Sequence, residues 1–570
     1  MEKTLDFKPK FFAAIRNYDR KTFMADLMAG VIVGIVALPL AIAFGIASGV
    51  SPEKGIITAI VAGLMISLFG GSKVQIGGPT GAFIVIVYGI IQQYGMQGLT
   101  VATLMAGVFL ILLGVLRLGT IIKYIPYPIV VGFTSGIAVT IFTTQIKDLF
   151  GLTMETVPSD FVEKWIAYFA HIGTIDTWSA IVGIFSVTLI ASWPMLARMF
   201  HLSPLKALPG SLVAIILMTI VALLLKEYAG VTSIETIGDR FSINSTLPGA
   251  VVPELTWETI KGLVGSAVTI AVLGAIESLL SATVADGVIG DRHDSNTELI
   301  AQGMANLASP IFGGIPATGA IARTMTNINN GGRTPIAGII HAAVLLLIFL
   351  FLMPLAQFIP MACLAGVLVI VSYNMSGWRS FLSILKNPKS DVIVLWVTFL
   401  LTVIFDLTIA IEVGLICACL LFMRRMAETT DVKIISDEIN PEEEESDFQM
   451  GNLEHLTIPE GVEVYEINGP YFFGAGNKFE EIMSALRHSR PKVRIIRMRK
   501  VPFVDSTGIH NLTNLCLMSQ QEGIQVVLSG VNSKVQAVLH KAAFDTLLGE
   551  ENICSHINEA LERAKKILGK

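Results

Sequence analysis

Two short glycine-rich stretches decide how this chain folds. Residues 77–82 read GGPTGA and residues 313–320 read GGIPATGA, so both contain Thr-Gly-Ala. Each stretch leads into a short apolar segment, at 81–93 and at 319–329. Spanning a bilayer takes about 20 apolar residues, so neither segment can cross alone. Short segments interrupted by Gly and Pro are typical of half-helices buried within a membrane protein.

The composition of the whole chain agrees with a membrane protein. Of its 570 residues, 53% are hydrophobic and only 15% are charged, whereas soluble domains carry about 25% charged residues. The net charge of −5 predicts no nucleic-acid partner. The apolar pattern predicts fourteen candidate spans in the lipid bilayer, at 24–47, 55–69, 81–93, 98–116, 126–147, 179–198, 210–225, 262–283, 296–311, 319–329, 336–355, 361–374, 392–405 and 408–423.

Basic residues in the short loops predict the orientation of these spans, because cytoplasmic loops are enriched in Lys and Arg. The longer loops at 148–178 and 226–261 are acidic and lie on the other side. The N-terminus shows no signal-peptide cleavage pattern, and an even number of spans returns the chain to the same side. We therefore expect a multi-pass protein of the cell inner (plasma) membrane with both termini cytosolic. The loop cations on the N-terminal side are Arg117, Lys123, Arg198, Lys206, Arg333, Arg379, Lys386 and Lys389.

The two glycine-rich stretches precede the third and the tenth spans. These spans are seven apart, so the two copies enter the membrane in opposite senses, which is the signature of an inverted repeat whose broken helices locate the substrate site. Free N–H groups and positive dipole ends at the two half-helix starts would bind an anion. Thr80 and Thr318 would add hydroxyls, and Gly78, Gly81 and Gly319 would let the ligand approach the backbone. The alternative is that these glycines only permit close helix packing.

Two charged residues lie within the predicted spans, where charges are costly and usually functional. Arg323 lies one turn beyond Gly319 and would strengthen an anion site, or else form a structural ion pair or clamp carbonyls. Glu277 lies inside the span 262–283 and would carry a proton or help to bind a cation, or else serve as a hydrogen-bonded structural carboxyl. Ser281 shares its helix face one turn on.

The C-terminal part reads as a soluble domain. We predict a cytosolic N-terminal segment at 1–23, a transmembrane anion-transport domain at 24–425, an acidic linker at 426–452 and a cytosolic α/β domain at 453–570. Strands are predicted at Val462–Ile467, Tyr471–Phe473, Val493–Met498 and Gln525–Leu528, and helices at 475–488, 507–520, 533–542 and 556–567. This order favours a largely parallel sheet.

A short motif opens one helix of this domain. Asp505 can cap the helix at 507–520, and the neighbouring hydroxyls of Ser506 and Thr507 could accept a phosphate. Simple capping is the alternative.

The sequence lacks the motifs of several common classes of enzyme and metal site. We find no Gly-x-x-x-x-Gly-Lys-Ser/Thr and no His-Glu-x-x-His, so nothing indicates a fused ATPase or a zinc hydrolase. None of the five cysteines has metal-ligand spacing with histidines. We therefore expect no enzyme activity, no cofactor and no metal, and transport energy from ion or substrate gradients.

Over about residues 20–560 the chain resembles the sulfate permease family, also called SulP or solute carrier family 26. The resemblance is carried by residues 77–82, by LGAIESL at 273–279, by residues 312–320 running into ART at 322–324, and by GGRT at 331–334. The C-terminal part resembles a STAS domain through DSTG at 505–508. The resemblance implies a polytopic α-helical membrane protein of fourteen helices in a 7+7 inverted repeat with core and gate domains, followed by a small α/β STAS domain. It also implies an elevator-like motion, usually in a homodimer.

In such proteins the anion lies between the third and tenth helices. That position points here to Thr80, Ala82, Phe83, Thr318, Gly319 and Ala322, with Arg323 close by. The acid of the eighth helix corresponds to Glu277, with Ser281 beside it as a further ion-coupling candidate. Some sodium-coupled bicarbonate members have aspartate there, so a glutamate favours a proton over sodium as the coupling ion. Soluble STAS relatives are regulated by phosphorylation, which makes Asp505, Ser506 and Thr507 a candidate regulatory site toward an unknown cytosolic partner.

We therefore predict proton symport of a small inorganic or organic anion, with sulfate as the first choice. A C4-dicarboxylate or bicarbonate is the alternative cargo within the same family. A passive anion channel and a membrane-tethered sensor remain as alternative classes.

Overall fold

The computed structural model describes residues 7–16, 18–122, 125–154, 157–158, 160–199, 209–243, 246, 249–250, 253, 256–405, 407–435, 438–439, 456–473 and 491–569. The chain divides into two compact units, Met1–Ile416 and Cys417–Lys570.

Fourteen of the described helices dominate the first unit, and the last of them runs into the start of the second. Nine of the described helices are long and apolar enough to cross a membrane. Each of the fourteen predicted spans falls on a helix. The helices are α1 Arg20–Ala47, α2 Pro52–Phe69, α3 Ile84–Val115, α4 Tyr127–Phe150, α5 Phe161–Ala170, α6 Thr177–Met199, α7 Gly210–Ala229, α8 Trp257–Ile289, α9 Ser295–Ile311, α10 Ile321–Asn329, α11 Ile336–Leu352, α12 Met361–Met375, α13 Lys389–Ile404 and α14 Leu407–Thr429. Short helices lie at Lys10–Ile15, Gly119–Ile122, Ile237–Arg240 and Trp378–Ile384, and 3-10 turns at Gly81–Phe83, Ile172–Thr174 and Met353–Phe358.

The third and fourth predicted spans are two helical segments that meet directly, and both lie within the range labelled α3. The predicted gap between 93 and 98 is a kink at Gly95, whose φ of 64° breaks the helical geometry. Glycine takes this conformation without the steric cost that a Cβ would bring. The short third span therefore turns directly into the fourth.

The membrane helices form two packed groups. In the first, which we call the core group, α3 packs on α8 and α9, α11 packs on α1 and α2, and α10 packs on α8. In the second, the gate group, α4 packs on α12 and α13, and α6 packs on α7 and α12. These groups correspond to the core and gate domains that the family resemblance implies.

A two-stranded antiparallel sheet joins the two sequence repeats. Its strands are β1 Gly77–Gly78 and β2 Thr318–Gly319, with Gly77 opposite Gly319 and Gly78 opposite Thr318. The two glycine-rich breaks are therefore hydrogen-bonded to each other within the core group. We call this sheet the clasp.

The second unit contains a five-stranded sheet, and its strands include β3 Asp431–Ile435, β6 Val462–Asn468, β7 Val493–Lys500, β8 Gln525–Ser529 and β9 Ile553–Cys554. The order is β3-β6-β7-β8-β9. Pairing is parallel from β6 to β9, as predicted, and antiparallel between β3 and β6. A separate pair joins β4 Glu438–Ile439 to β5 Leu456–Thr457. The helices are α15 Ser506–Gln521, α16 Ser533–Lys541, Phe544–Leu548 and α17 Ile557–Leu568, with a 3-10 turn at Glu550–Asn552.

Two predictions for this part of the chain need correction. The predicted linker at 426–452 begins too early, because α14 continues to Thr429 and Asp431–Ile435 form an edge strand of the sheet. The predicted strand Tyr471–Phe473 is only an isolated bridge from Tyr471 to Val504. The predicted helix at 475–488 lies outside the described residues.

Candidate anion-binding site

The clasp fixes the starts of two helices next to each other. Thr80 is at the N-cap position of the 3-10 turn Gly81–Phe83 that leads into α3, and Ala320 is at the N-cap position of α10. The amide of Ala320 donates to the carbonyl of Ile76 at 2.9 Å, which extends the clasp by one more hydrogen bond. The predicted start of the second half-helix at Gly319 is two residues early, because Thr318 and Gly319 are held in β2.

A cavity of 660 Å³ opens beside the clasp. Amides in the first turn of a helix have no intrahelical partner, and the dipole end there is positive. Both helix starts contribute backbone to the lining, through Gly81 of the first and Gly319, Ala320 and Ala322 of the second. The cavity is thus suited to a negatively charged ligand. Its opposite wall comes from the gate group and includes Thr134, Ser211, Val367, Val371, Asn374 and Met375.

Thr80 and Glu277 meet at the cavity wall. The hydroxyl of Thr80 donates to Oε2 of Glu277 at 2.9 Å, and both residues line the cavity. Glu277 is partly buried in the middle of α8. A carboxyl group therefore lies beside the backbone amides that would receive an anion, and it shares a hydrogen bond with one of the candidate ligands.

Arg323 crosses from the second break to the first. Its side chain is only 2% exposed, and its guanidinium donates to the carbonyls of Gly77, at 3.4 Å, and Pro79. A Cβ on Gly78 would lie 2.0 Å from Nη1 of Arg323, and the φ of Gly78 is 152°. Only glycine fits there. Arg323 thus acts as a carbonyl clamp, the alternative raised by the sequence, while it also lines the cavity.

The remaining candidates from the sequence lie behind the cavity wall. Thr318 is fully buried and donates its hydroxyl to the carbonyl of Gly274 in α8 at 2.8 Å. Ala82 and Phe83 are buried, and Ser281 donates to Oγ1 of Thr324 at 3.3 Å. These four are not among the described residues that line the cavity.

A buried polar network supports the clasp from behind, and sequence reasoning did not identify it. The Glu298 carboxylate is fully buried and accepts from the amides of Gly71 and Ser72, at 2.9 and 3.1 Å. Its other oxygen accepts from Ser278 and Gln302. The sequence contained a usable signal, because Glu298, Gln302 and Asn306 recur every four residues and so share one face of an apolar helix.

Two further side chains hold the strand segments in place. Asn306 both donates to the carbonyl of Ala317 at 2.8 Å and accepts from its amide at 2.9 Å, as a backbone strand would. Gln75 donates to Oγ of Ser278 at 2.9 Å, and a Cβ on Gly319 would lie 1.6 Å from Nε2 of Gln75. The clasp is therefore tightly packed as well as hydrogen-bonded.

The cavity adjoins a second space of 690 Å³. The two share Tyr127, Val130 and Leu280 in their linings. The second space is also lined by Asp286, Asp291, Arg292 and His293, near the end of α8. Lys10 of the N-terminal segment donates to the carbonyl of Arg292 at 3.0 Å. The cavity therefore leads toward the face that carries the N-terminal segment.

The candidate regulatory loop lies in the second unit. Asp505 caps α15 by accepting from the amide of Gly508 at 2.8 Å, and its other oxygen accepts from the amide of Phe473 at 3.1 Å. The side chains of Ser506 and Thr507 are exposed. Asp505 is thus occupied in capping, whereas the two hydroxyl groups are accessible.

The fold and the cavity define a polytopic membrane transport protein with a C-terminal soluble α/β domain. Residues 23–398 match the family model described as the sulfate permease family, and residues 455–560 match that of the STAS domain. The chain belongs to the sulfate permease family, whose members are anion transporters.

Individual relatives agree over nearly the whole length. YvdB of Bacillus subtilis, whose name assigns sulfate transport only provisionally, is 38% identical over 96% of this chain and 99% of its own. The bicarbonate transporter BicA of Synechocystis sp. is 29% identical over 90% of this chain and 89% of its own. A solved structure of SLC26A9 superposes with a TM-score of 0.84 at 19% identity, covering 97% of this chain and 92% of that one. At 19% identity, the similarity to SLC26A9 concerns the fold alone.

Proposed function

We propose that this protein is a secondary active transporter that takes up a small anion, sulfate first, together with protons across the cytoplasmic membrane. The core group carries the cavity past the gate group in an elevator-like motion. Both termini are cytosolic and the working unit is a homodimer. The observation that carries the proposal is the hydrogen bond between Thr80 and Glu277, which lies at the cavity wall next to the two helix starts.

Anion binding is supported by the backbone of the two breaks. An anion in the cavity would receive first-turn amides from both helices and the hydroxyl of Thr80. The charge of Arg323 lies close by, although its donors are engaged with carbonyls. A site built largely from backbone dipoles avoids placing several uncompensated cations in the membrane, where each would be costly.

Proton coupling follows from the position of Glu277. An ionised carboxylate next to a bound anion repels it, and in a medium of low dielectric constant that repulsion is strong. Protonation of Glu277 removes the repulsion, so anion and proton bind more tightly together than separately. This mutual dependence is what a symporter needs.

We rank sulfate above bicarbonate as the candidate cargo because of sequence similarity. The relative at 38% identity has a name that points to sulfate, and the bicarbonate transporter is 29% identical. Bicarbonate is therefore the second candidate, and a C4-dicarboxylate is the third.

The STAS domain is proposed to regulate transport or assembly through a cytosolic partner. Ser506 and Thr507 are exposed at the start of α15, where the positive helix end would stabilise an added phosphate. Asp505 would hold that loop in place through its two capping hydrogen bonds.

Uptake into proteoliposomes tests the proposal. Purified protein is reconstituted, and labelled sulfate, bicarbonate, succinate and fumarate are offered with and without an inward proton gradient. We expect the gradient to accumulate sulfate above its external concentration. Glu277→Gln, which is permanently neutral, should abolish this accumulation and still allow exchange of internal for external anion.

The matched control is Glu258→Gln, which removes an exposed carboxylate from the same helix. It should keep the response to the proton gradient. A response that persists in Glu277→Gln would remove this residue from the mechanism, and equilibration without accumulation would instead indicate a passive channel.

A further inference from the structure

A separate polar pocket lies at the far end of the membrane unit from the N-terminal segment. It measures 290 Å³ and is lined by Ala47, the last residue of α1, by Gly49 just beyond that helix, and by Lys147 and Asp148 in the last turn of α4. The 28-residue helix α1 starts near the N-terminal segment and extends about 1.5 Å per residue, so its end reaches the opposite face. We call this space the distal pocket. Its described lining shares no residue with that of the cavity.

Cations outnumber carboxylates in the lining of the distal pocket. The lining contains Lys147, Lys164 and Arg240 but only one acid, Asp148. Arg240 pairs with two carboxylates, because its guanidinium contacts Oδ1 of Asp148 at 2.8 Å and Oε1 of Glu235 at 2.9 Å, so these three groups together carry one net negative charge. The positive charges of the two lysines outweigh it.

Neither lysine is paired with a carboxylate in the part of the chain that the structure describes. Lys147 donates to the backbone carbonyl of Met154 at 3.0 Å. Lys164 is only 3% exposed, and its ammonium has neither a hydrogen bond nor an ion pair among the described residues. Burial lowers the pKa of Lys164, because desolvation penalises the charged form, and the negative charge of Asp160 offsets this only in part. An unpaired buried ammonium is costly unless a ligand compensates it.

The helix α5 holds Lys164 in this position. Asp160 caps it by accepting from the amides of Val162 and Glu163, at 2.9 and 3.1 Å. The opposite face of α5 is exposed and apolar, so Lys164 and Tyr168, one turn apart, are turned inward. The hydroxyl of Tyr168 is also buried without a hydrogen-bond partner among the described residues. A buried hydroxyl without a partner and a lysine that lines the distal pocket thus share the inward face of α5.

We propose that the distal pocket is a second binding site for a small oxyanion, held by the ammonium groups of Lys164 and Lys147. An oxyanion would pair with both cations and offer several acceptor oxygens. The pocket contacts α1 and α3 of the core group and α4 and α12 of the gate group. An anion bound there bridges the two groups. The ligand is a free anion of the same class as the cargo rather than the phosphate of a lipid headgroup.

Binding of radiolabelled sulfate to the full-length, detergent-purified protein tests this site without transport. We expect two classes of site in the wild type. Lys164→Gln should lose one of them, which lowers the binding capacity at saturation about twofold. Lys147→Gln should weaken the same class. The matched control is Lys261→Gln, an exposed lysine near the start of α8 that does not line the distal pocket.

The outcomes separate the alternatives. Thermal melting and size-exclusion profiles equal to those of the control show that Lys164→Gln is folded. Equal sulfate capacity in Lys164→Gln and Lys261→Gln overturns the proposal. A difference that arises only after adding vesicles of an anionic phospholipid also overturns it, since the pocket would then hold a headgroup phosphate. Because no proton gradient is involved, failure here leaves the proposed symport standing.

Discussion

The two glycine-rich breaks have nearly the same sequence but contribute differently to the site. In the first break Thr80 follows the clasp strand, and its hydroxyl faces Glu277 at the cavity. In the second break Thr318 is part of the clasp strand, and its hydroxyl is bonded to the carbonyl of Gly274. The first break places a hydroxyl group at the cavity, whereas the hydroxyl of the second break stabilises the packing of the clasp on α8. A repeated Thr-Gly-Ala thus defines a place in the chain but not the direction in which its side chain points.

The register of the clasp causes this difference. Gly78 is opposite Thr318, so the Thr-Gly-Ala of the first break starts two residues beyond its strand and that of the second starts within it. Arg323 then extends from the second break to the carbonyls of the first. Substitutions that alter one break and spare the other test this asymmetry.

Replacement of Arg323 should have the largest effect. Arg323→Ala leaves the carbonyls of Gly77 and Pro79 buried without their charged donor, at about 1–3 kcal/mol for each. We expect the melting temperature of the purified protein to fall and sulfate uptake to drop at least ~100-fold, since about 3 kcal/mol corresponds to two factors of ten.

Two companion variants interpret that result. Arg323→Lys, which keeps a charged donor, should recover part of the stability. Arg379→Ala, at an exposed arginine, should behave as the wild type. Normal melting and uptake in Arg323→Ala would show that the second break does not support the first.

A matched pair of glycine variants should have the next largest effect. A Cβ on Gly78 meets Nη1 of Arg323 at 2.0 Å, whereas a Cβ on Gly81 meets the flexible end of Met375 at 2.8 Å. Overpacking costs about 1–3 kcal/mol, so Gly78→Ala should lower uptake about tenfold or more. Gly81→Ala should lower it less, because Met375 can move. Uptake assays at equal protein amounts measure both, and the reverse ranking would contradict the packing at the clasp.

Replacement of Ser281 should have the smallest effect. Its hydroxyl contacts Thr324 behind the clasp at 3.3 Å, so Ser281→Ala should cost less than about 1 kcal/mol. The dependence of uptake on the proton gradient should stay unchanged, in contrast to Glu277→Gln. A lost gradient response in Ser281→Ala would place the ion-coupling site on the second break as well.

The sequence predicted the membrane helices because length and hydropathy alone identify apolar spans. It did not predict the clasp, since two-residue strands have no measurable periodicity. It did separate the two helical segments of α3, which meet at the kink at Gly95. In the C-terminal domain β3 was missed, because we assigned Asp431–Ile435 to the acidic linker and its partner strand β6 lies beyond that linker.

Within the site, residue type was more predictable than orientation. Glu277 stood out as a carboxyl in an apolar span, and Arg323 as an arginine after a break. Nothing in the local sequence distinguishes Thr80 from Thr318, because the difference comes from pairing between segments more than 230 residues apart, as the hydrogen bond from Arg323 to Pro79 illustrates with a separation of 244. The lysines of the distal pocket are spread over α4 and α5 and share no motif.

The most direct test compares sulfate affinity in Thr80→Val and Thr318→Val, which remove the same hydroxyl from the two breaks. The dissociation constant of the class of site that persists in Lys164→Gln is measured with labelled sulfate on the full-length purified protein. We predict that Thr80→Val raises it about tenfold, the value of one hydrogen bond to a charged group. Thr318→Val should lower the melting temperature while leaving the dissociation constant within about twofold. Equal weakening by both variants, or a larger loss of affinity in Thr318→Val, would contradict the division of labour between the two breaks.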